Sequence, residues 1–129
     1  MPFRTKALLV WRTLRAFVTV HRELHFLPLP EAVARIGRVR KTSETPIPPR
    51  RLGTLVYRIL HVGPLRPRCL VLSLVFYRLL IEQGTPSELV IGLPQTPATK
   101  DAHAWIEIDG TDVGPPPGRG QHLELARYS

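Results

Sequence analysis

Residues 68–84 read RCLVLSLVFYRLLIEQG. From Cys69 to Ile81 nearly every side chain is apolar, and Arg78 is the one charge inside the run. A helix that is apolar almost all round belongs at the centre of a core. The run is too short to cross a bilayer, which takes about 20 consecutive apolar residues. Glu82 and Gln83 close it, Gly84 stands where a left-handed cap belongs, and Pro86 follows. The pattern predicts a buried helix that begins at Cys69 and stops at Gly84.

Downstream the period changes from helical to extended. SELVIGL (87–93) is a strand candidate and 94–101 a loop. HAWIEIDG (103–110) alternates: Ala104, Ile106 and Ile108 share one face, while His103, Trp105 and a solvent-facing Glu107 share the other. Asp109-Gly110 is a two-residue hairpin signal, so TDVG (111–114) returns as a strand with Asp112 opposite Glu107. PPPGRG (115–120) disrupts that strand, and a short tail follows. Upstream, residues 5–24 keep helical spacing at Leu8, Trp11, Leu14 and Val18, with no Gly or Pro. FLPLP (26–30) ends that helix, and a shorter one is expected over Glu31–Val39. KTSETPIPPR (41–50) reads as a Pro-rich loop, Leu52–Val62 as a third helix, and GPLRPR as its stop. Helices first and a small antiparallel sheet second point to an α+β fold in one domain, 1–129. Residues 1–49 form its helical extension and loop, and 50–129 its core.

With 129 residues, 43% of them hydrophobic and 22% charged, the chain has a globular composition. Eighteen Lys and Arg against 10 Asp and Glu leave a net charge of +8. Such a balance suits an acidic partner or an anionic membrane, and equally a solvated surface. No zinc pattern, helix-turn-helix or aromatic ladder accompanies the cations, so nucleic acid is not an expected partner. The single cysteine excludes an internal disulfide and cannot alone build a zinc site. No metal or other cofactor is expected in the chain itself. Arg12 and Arg15 interrupt the apolar stretch 7–20, which reads as neither signal nor span. A cytoplasmic location is expected, with the first helix packed on its own core or docked on a partner or a membrane surface.

Cys69 at a helix start sits among free N–H groups and the positive end of the helix dipole, and both favour a thiolate. Those N–H groups also suit the oxyanion of a tetrahedral intermediate, and Arg66 and Arg68 add positive charge. The same position equally suits a small packed hydrophobe. His103, at a strand start, is placed to take the thiol proton and return it to a leaving amine, or to be a plain strand-end residue. Asp112 is the nearest acid that shares the His103 face, diagonal to it; Asp109 reads as a turn residue. Ser73 reads as packing, its hydroxyl bonded one turn back. Trp105 is placed to shield His103, to line a substrate cleft, or to fill the core. His21, His25, His61 and His122 read as surface residues.

These residues together resemble a family. Cys-Leu-x-x-Ser-Leu at 69–74, Tyr-Arg-Leu-Leu at 77–80, Gly84 before Pro86, Leu-Val-Ile-Gly at 89–92 and Ala-His-Ala-Trp-x-Glu at 102–107 look like the transglutaminase-like peptidases of lasso peptide biosynthesis. The resemblance covers roughly residues 50–114. It implies a papain- or transglutaminase-like α+β fold with a Cys-His-Asp triad, in which Cys69 is the nucleophile and His103 the base. It also implies removal of the leader from a ribosomally made precursor peptide. The implied partners are that precursor, a separate leader-recognition protein and a lasso cyclase, with this chain as the peptidase half. The family's Asp usually stands on the returning strand, at the place that here holds Gly114 and Pro115. Asp112 is the nearest substitute, or a backbone carbonyl orients the ring. A non-catalytic basic scaffold and acyl transfer to an amine are the alternatives.

Overall fold

Helical spacing in the first half of the chain and two-residue alternation in the second produce a helical layer and a sheet. The computed structural model describes residues 3–39, 41, 46–61, 68–94, 103–116, 118–119 and 122–129. The helices are α1 (Phe3–Phe26), α2 (Leu29–Ile36), α3 (Pro49–Leu60) and α4 (Cys69–Glu82). The strands are β1 (Glu88–Pro94), β2 (His103–Ile108), β3 (Thr111–Gly114) and β4 (His122–Tyr128). This is an α+β architecture, as the order of elements predicts.

The apolar run forms α4, and it is central. It packs against α1 and α3, and against β2 of the sheet. Leu74, Val75, Phe76 and Leu80 are wholly buried. Leu9, Ala16 and Val20 of α1, Val33 and Ile36 of α2, Val56 of α3 and Leu89 and Ile106 of the sheet join them in one cluster. Full burial of each large apolar side chain stabilises by about 1.5–3 kcal/mol, so α4 and its neighbours hold most of the fold. Gly84 has φ +80°, the Thr85 N–H donates to the Leu80 carbonyl at 2.8 Å and the Gly84 N–H to the Ile81 carbonyl at 2.9 Å. That double bond pattern is a Schellman cap. At the same end, Glu82 is buried and accepts from Arg12 at 3.1 Å and Arg78 at 3.4 Å, which ties α1 to α4.

Both ends of α1, α2 and α3 differ by two or three residues from the sequence reading, and prolines account for two of these boundaries. α2 begins at Leu29 and α3 at Pro49, because Pro30 and Pro49 lie in first turns, where the missing N–H is not needed. α2 stops at Ile36, before Gly37. The Pro-rich segment is pinned where it meets α3: the Gln83 side chain donates to the Ile47 carbonyl at 2.8 Å and accepts from its N–H at 3.1 Å. The turn GPLRPR (63–68) lies outside the described residues up to Pro67.

The four strands are all antiparallel in the order β3-β2-β1-β4. Asp109 (φ 51°) and Gly110 (φ 79°) form the tight hairpin turn, and Asp112 pairs with Glu107 as the two-residue loop requires. Two expectations are corrected. The tail is a strand: β4 pairs with β1 along its length, with a register shift between Ile91 and Gly92. Glu107 does not face solvent but is 2% exposed, because β2 is covered on both faces. Its carboxylate accepts from the Trp105 indole at 2.7 Å and from Arg127 of β4 at 2.9 Å.

Candidate active site

Two elements meet here by their starting residues: Cys69 opens α4 and His103 opens β2. What fixes them is one turn further in. Ser73 is buried and its hydroxyl donates to the Ala104 carbonyl at 3.0 Å, not to a carbonyl one turn back as the sequence suggested. Ser73 lies one turn after Cys69 and Ala104 lies beside His103, so this bond sets the thiol against the imidazole.

The two side chains are hydrogen-bonded to each other. Cys69 is partly exposed. Its thiol pKa is held below the ordinary value, first by the bond to His103, against the opposing effect of burial. The backbone N–H of Ala104, the charge of His103 and the N–H of Leu70 add to the lowering. His103 is pushed the other way, above the usual imidazole value. The bond to Cys69 contributes most, burial opposes it, and the Cys69 charge, the Gly118 carbonyl and the Asp112 charge follow. Isolated groups near 8.5 and 6.5 would leave a neutral thiol and a neutral ring at pH 7. The opposite shifts move the pair toward thiolate and imidazolium.

The far side of the ring is held by the backbone. His103 Nε2 bonds the Gly118 carbonyl at 2.6 Å, which leaves Nδ1 for the thiol. Asp112 does not bond the ring. Its Oδ1 accepts from the Gly114 N–H at 2.9 Å and its Oδ2 from the Arg119 N–H at 2.7 Å. Asp112 thus straps the segment that carries Gly118, and it acts on His103 as a nearby negative charge. Gly118 has φ +73°, and a Cβ there would lie 2.5 Å from Asp112 Oδ2, so a side chain is excluded at this position.

Trp105 is 0% exposed, stacked 6.1 Å from the His103 ring and bonded to Glu107. The expectation that it lines a substrate cleft is not met, because its surface is fully covered by the sheet and by Arg119, whose guanidinium lies 5.8 Å from the ring centre. His122, read as a surface residue, lies with its ring 4.8 Å from that of His103. Its N–H and Nδ1 both meet the Arg119 carbonyl, at 3.2 and 2.9 Å. Arg68 is exposed beside Cys69, whereas Arg66 lies outside the described residues. A cavity of about 350 Å³ opens behind Gly118, between Asp112 and Arg50 and Thr54 of α3. Among the described residues no group of His, Cys, Asp and Glu is arranged to hold a metal ion.

The sequence therefore pointed to Cys69, His103 and Asp112, and the structure brings the first two into contact with the third one step behind. It offered a backbone carbonyl as the alternative orienter but could not name Gly118, because a carbonyl has no side-chain signature, and it missed His122, which lies in a strand hidden behind PPPGRG. A family model described as the transglutaminase-like superfamily matches residues 7–126. No curated protein and no solved structure matches the chain.

Proposed function

Because the chain belongs to the transglutaminase-like superfamily, we propose that it is a cysteine peptidase in which Cys69 is the nucleophile and His103 the general base and acid. The observation that carries this reading is the Cys69–His103 hydrogen bond at the start of α4, with the two pKa values displaced in opposite directions. A packed structural cysteine has no use for either.

In the proposed reaction the Cys69 thiolate attacks the scissile carbonyl carbon. A C–S bond forms and the π electrons move to oxygen, where first-turn N–H groups of α4 supply donors. Collapse breaks the C–N bond, and the His103 imidazolium gives its proton to the leaving amine. The neutral ring then takes a proton from water as that water attacks the thioester. Release of the carboxylic acid restores the thiolate and the imidazolium. The Gly118 carbonyl orients the ring through Nε2, and Asp112 is a positioning residue that holds Gly118 in place.

The substrate we propose is the leader-bearing precursor of a lasso peptide, cut in the cytoplasm at the leader–core boundary with a separate leader-recognition protein and a cyclase as partners. The motif set from Cys69 through Glu107 supports this narrower assignment. The test is mass spectrometry of a precursor incubated with the protein and its recognition partner. Wild type yields one cut that adds a water, and folded Cys69→Ala yields none. A product that has gained an amine instead makes the chain an acyltransferase. Intact precursor with a folded wild type, together with a thiol of ordinary reactivity, leaves the non-catalytic scaffold.

A further inference from the structure

The outer face of α1 is left exposed by the fold, apart from Arg15, which reaches the buried Glu82 at 3.7 Å. The inner face is fixed in the core by Leu9, Ala16 and Val20. Opposite them, at successive spacings of three and four residues, run Arg4, Leu8, Trp11, Arg15, Val18, Arg22 and Phe26. Trp11 is 62% exposed, Val18 65% and Phe26 75%. Six of the nine exposed large hydrophobic residues of the described chain belong to this one helix. Its charges are as one-sided: five Arg and Lys against a single acid, Glu23, which is buried.

Three occupants suit an apolar stripe of this kind, and the arginines decide between them. A second copy would set Arg15 against Arg15 in an antiparallel pair, or each arginine against itself in a parallel one. A helix from another protein would enclose Arg4, Arg15 and Arg22 in the seam, where removing each guanidinium from water is costly. At a lipid headgroup layer the long Arg stems lie along the apolar surface while the guanidinium groups stay hydrated and meet phosphate. Trp and Phe partition to that same depth. No helix among the described residues is long and apolar enough to cross a membrane, so the contact is flat.

We infer that α1 is an interfacial helix that seats the protein on an anionic lipid surface through the stripe from Arg4 to Phe26. The contacts that hold α1 lie at the opposite end of α4 from the candidate site. Arg12 and Arg15 tie α1 to Glu82 at the C-terminal end of α4, whereas Cys69 opens the other end. A helix of that length separates the two by about 20 Å. The inference is independent of the chemistry at Cys69.

The test is co-sedimentation with phosphatidylcholine vesicles containing about one third phosphatidylglycerol, against pure phosphatidylcholine. Each cation near such a surface is worth about fivefold in affinity. Arg4→Glu/Arg22→Glu should weaken binding by at least about 25-fold, and salt on the order of 0.5 M should abolish it. Trp105 is fully buried, so a blue shift and quenching by brominated lipid report Trp11, and Trp11→Ser should remove both. Arg38→Glu/Arg58→Glu makes the same change in net charge away from the stripe and should retain binding within about threefold, less than one stripe cation contributes. The substituted residues are all exposed, and unchanged thermal unfolding confirms that each variant folds. Failure to sediment at low salt, equal loss in both double variants, or a dimer of the free protein that Val18→Glu dissociates would overturn the inference.

Discussion

His103→Ala should move the Cys69 titration upward, and the size of the move follows from the geometry. The bond to His103 is the largest cause of the lowered thiol pKa. A hydrogen bond to a charged group is worth about 1.5–3 kcal/mol. Cys69 is partly exposed, so the lower part of that range applies, about 1.5–2 kcal/mol, which is about 10- to 30-fold in the ionisation equilibrium. Below the titration midpoint the thiolate fraction then falls by that factor. A more basic thiolate is also a better nucleophile, with a Brønsted slope of about 0.4–0.5, which returns roughly three- to fivefold. The net expectation is an alkylation rate at pH 6 about four- to sixfold slower than wild type. The assay is carbamidomethylation followed by intact mass across pH 5–10, and it requires no knowledge of the substrate. A wild-type profile centred at an ordinary thiol value and unchanged by His103→Ala would refute the reasoning.

Asp112→Asn keeps one acceptor oxygen for the strap and should lower kcat by about tenfold or less, whereas Asp112→Ala loses both bonds and should approach the ~100-fold or greater cost of lost general-base assistance. Hydrogen exchange at the Arg119 amide should rise in the same order, and a large loss of kcat in Asp112→Asn with that amide still protected would mean that the carboxylate acts on the ring directly. Glu82→Gln removes the charge that Arg12 and Arg78 share while their side chains stay 13% and 18% exposed. A loss of about 3 kcal/mol is expected, seen as a melting temperature roughly 10 °C lower, and an unchanged melting temperature would count against the tether. Gly92→Ala places a Cβ 2.7 Å from both the Leu123 carbonyl and the Trp105 ring. Destabilisation by about 1–3 kcal/mol should appear in denaturant unfolding, and a neutral result would mean that β4 lies further from Trp105.

What was legible in the sequence was whatever depends on periodicity and on single residue types. The run from Cys69 to Ile81 specified α4 and its first residue. Gly84 specified its end, and Asp109-Gly110 specified the hairpin and hence the Glu107–Asp112 register. What was not legible depends on which surfaces are covered. Alternation along β2 separates two faces but does not say that both are buried, so Glu107 read as solvent-facing until Arg127 arrived from the far edge of the sheet. β4 itself was hidden because His122–Tyr128 alternates weakly and follows a Pro-Gly segment. Ser73 was legible as a polar residue on a buried helix, but its partner, 31 residues away, was not.

A carbonyl in the place usually held by a carboxylate changes which group stabilises the imidazolium. A neutral acceptor on Nε2 contributes less to a positive ring than an ionised one would. Accordingly the bond to Cys69 is the largest cause of the raised His103 value, ahead of Gly118 and of Asp112. Each partner is then the main support of the other's charge, and their titrations are coupled. The sign follows for each. Stability from the lowered thiol value is lost as pH falls through the folded Cys69 pKa, and stability from the raised ring value is lost as pH rises through the folded His103 pKa. The two shifts therefore both widen the pH range over which thiolate and imidazolium coexist. Capping Cys69 with a neutral carbamidomethyl group removes the thiolate but leaves Gly118 and Asp112 in place. The His103 pKa, followed by NMR of the ring protons, should then fall back toward the ordinary imidazole value. A His103 titration that stays high after capping would show that an acid, not the thiolate, carries the ring's charge, and the carbonyl-oriented pair would have to be abandoned.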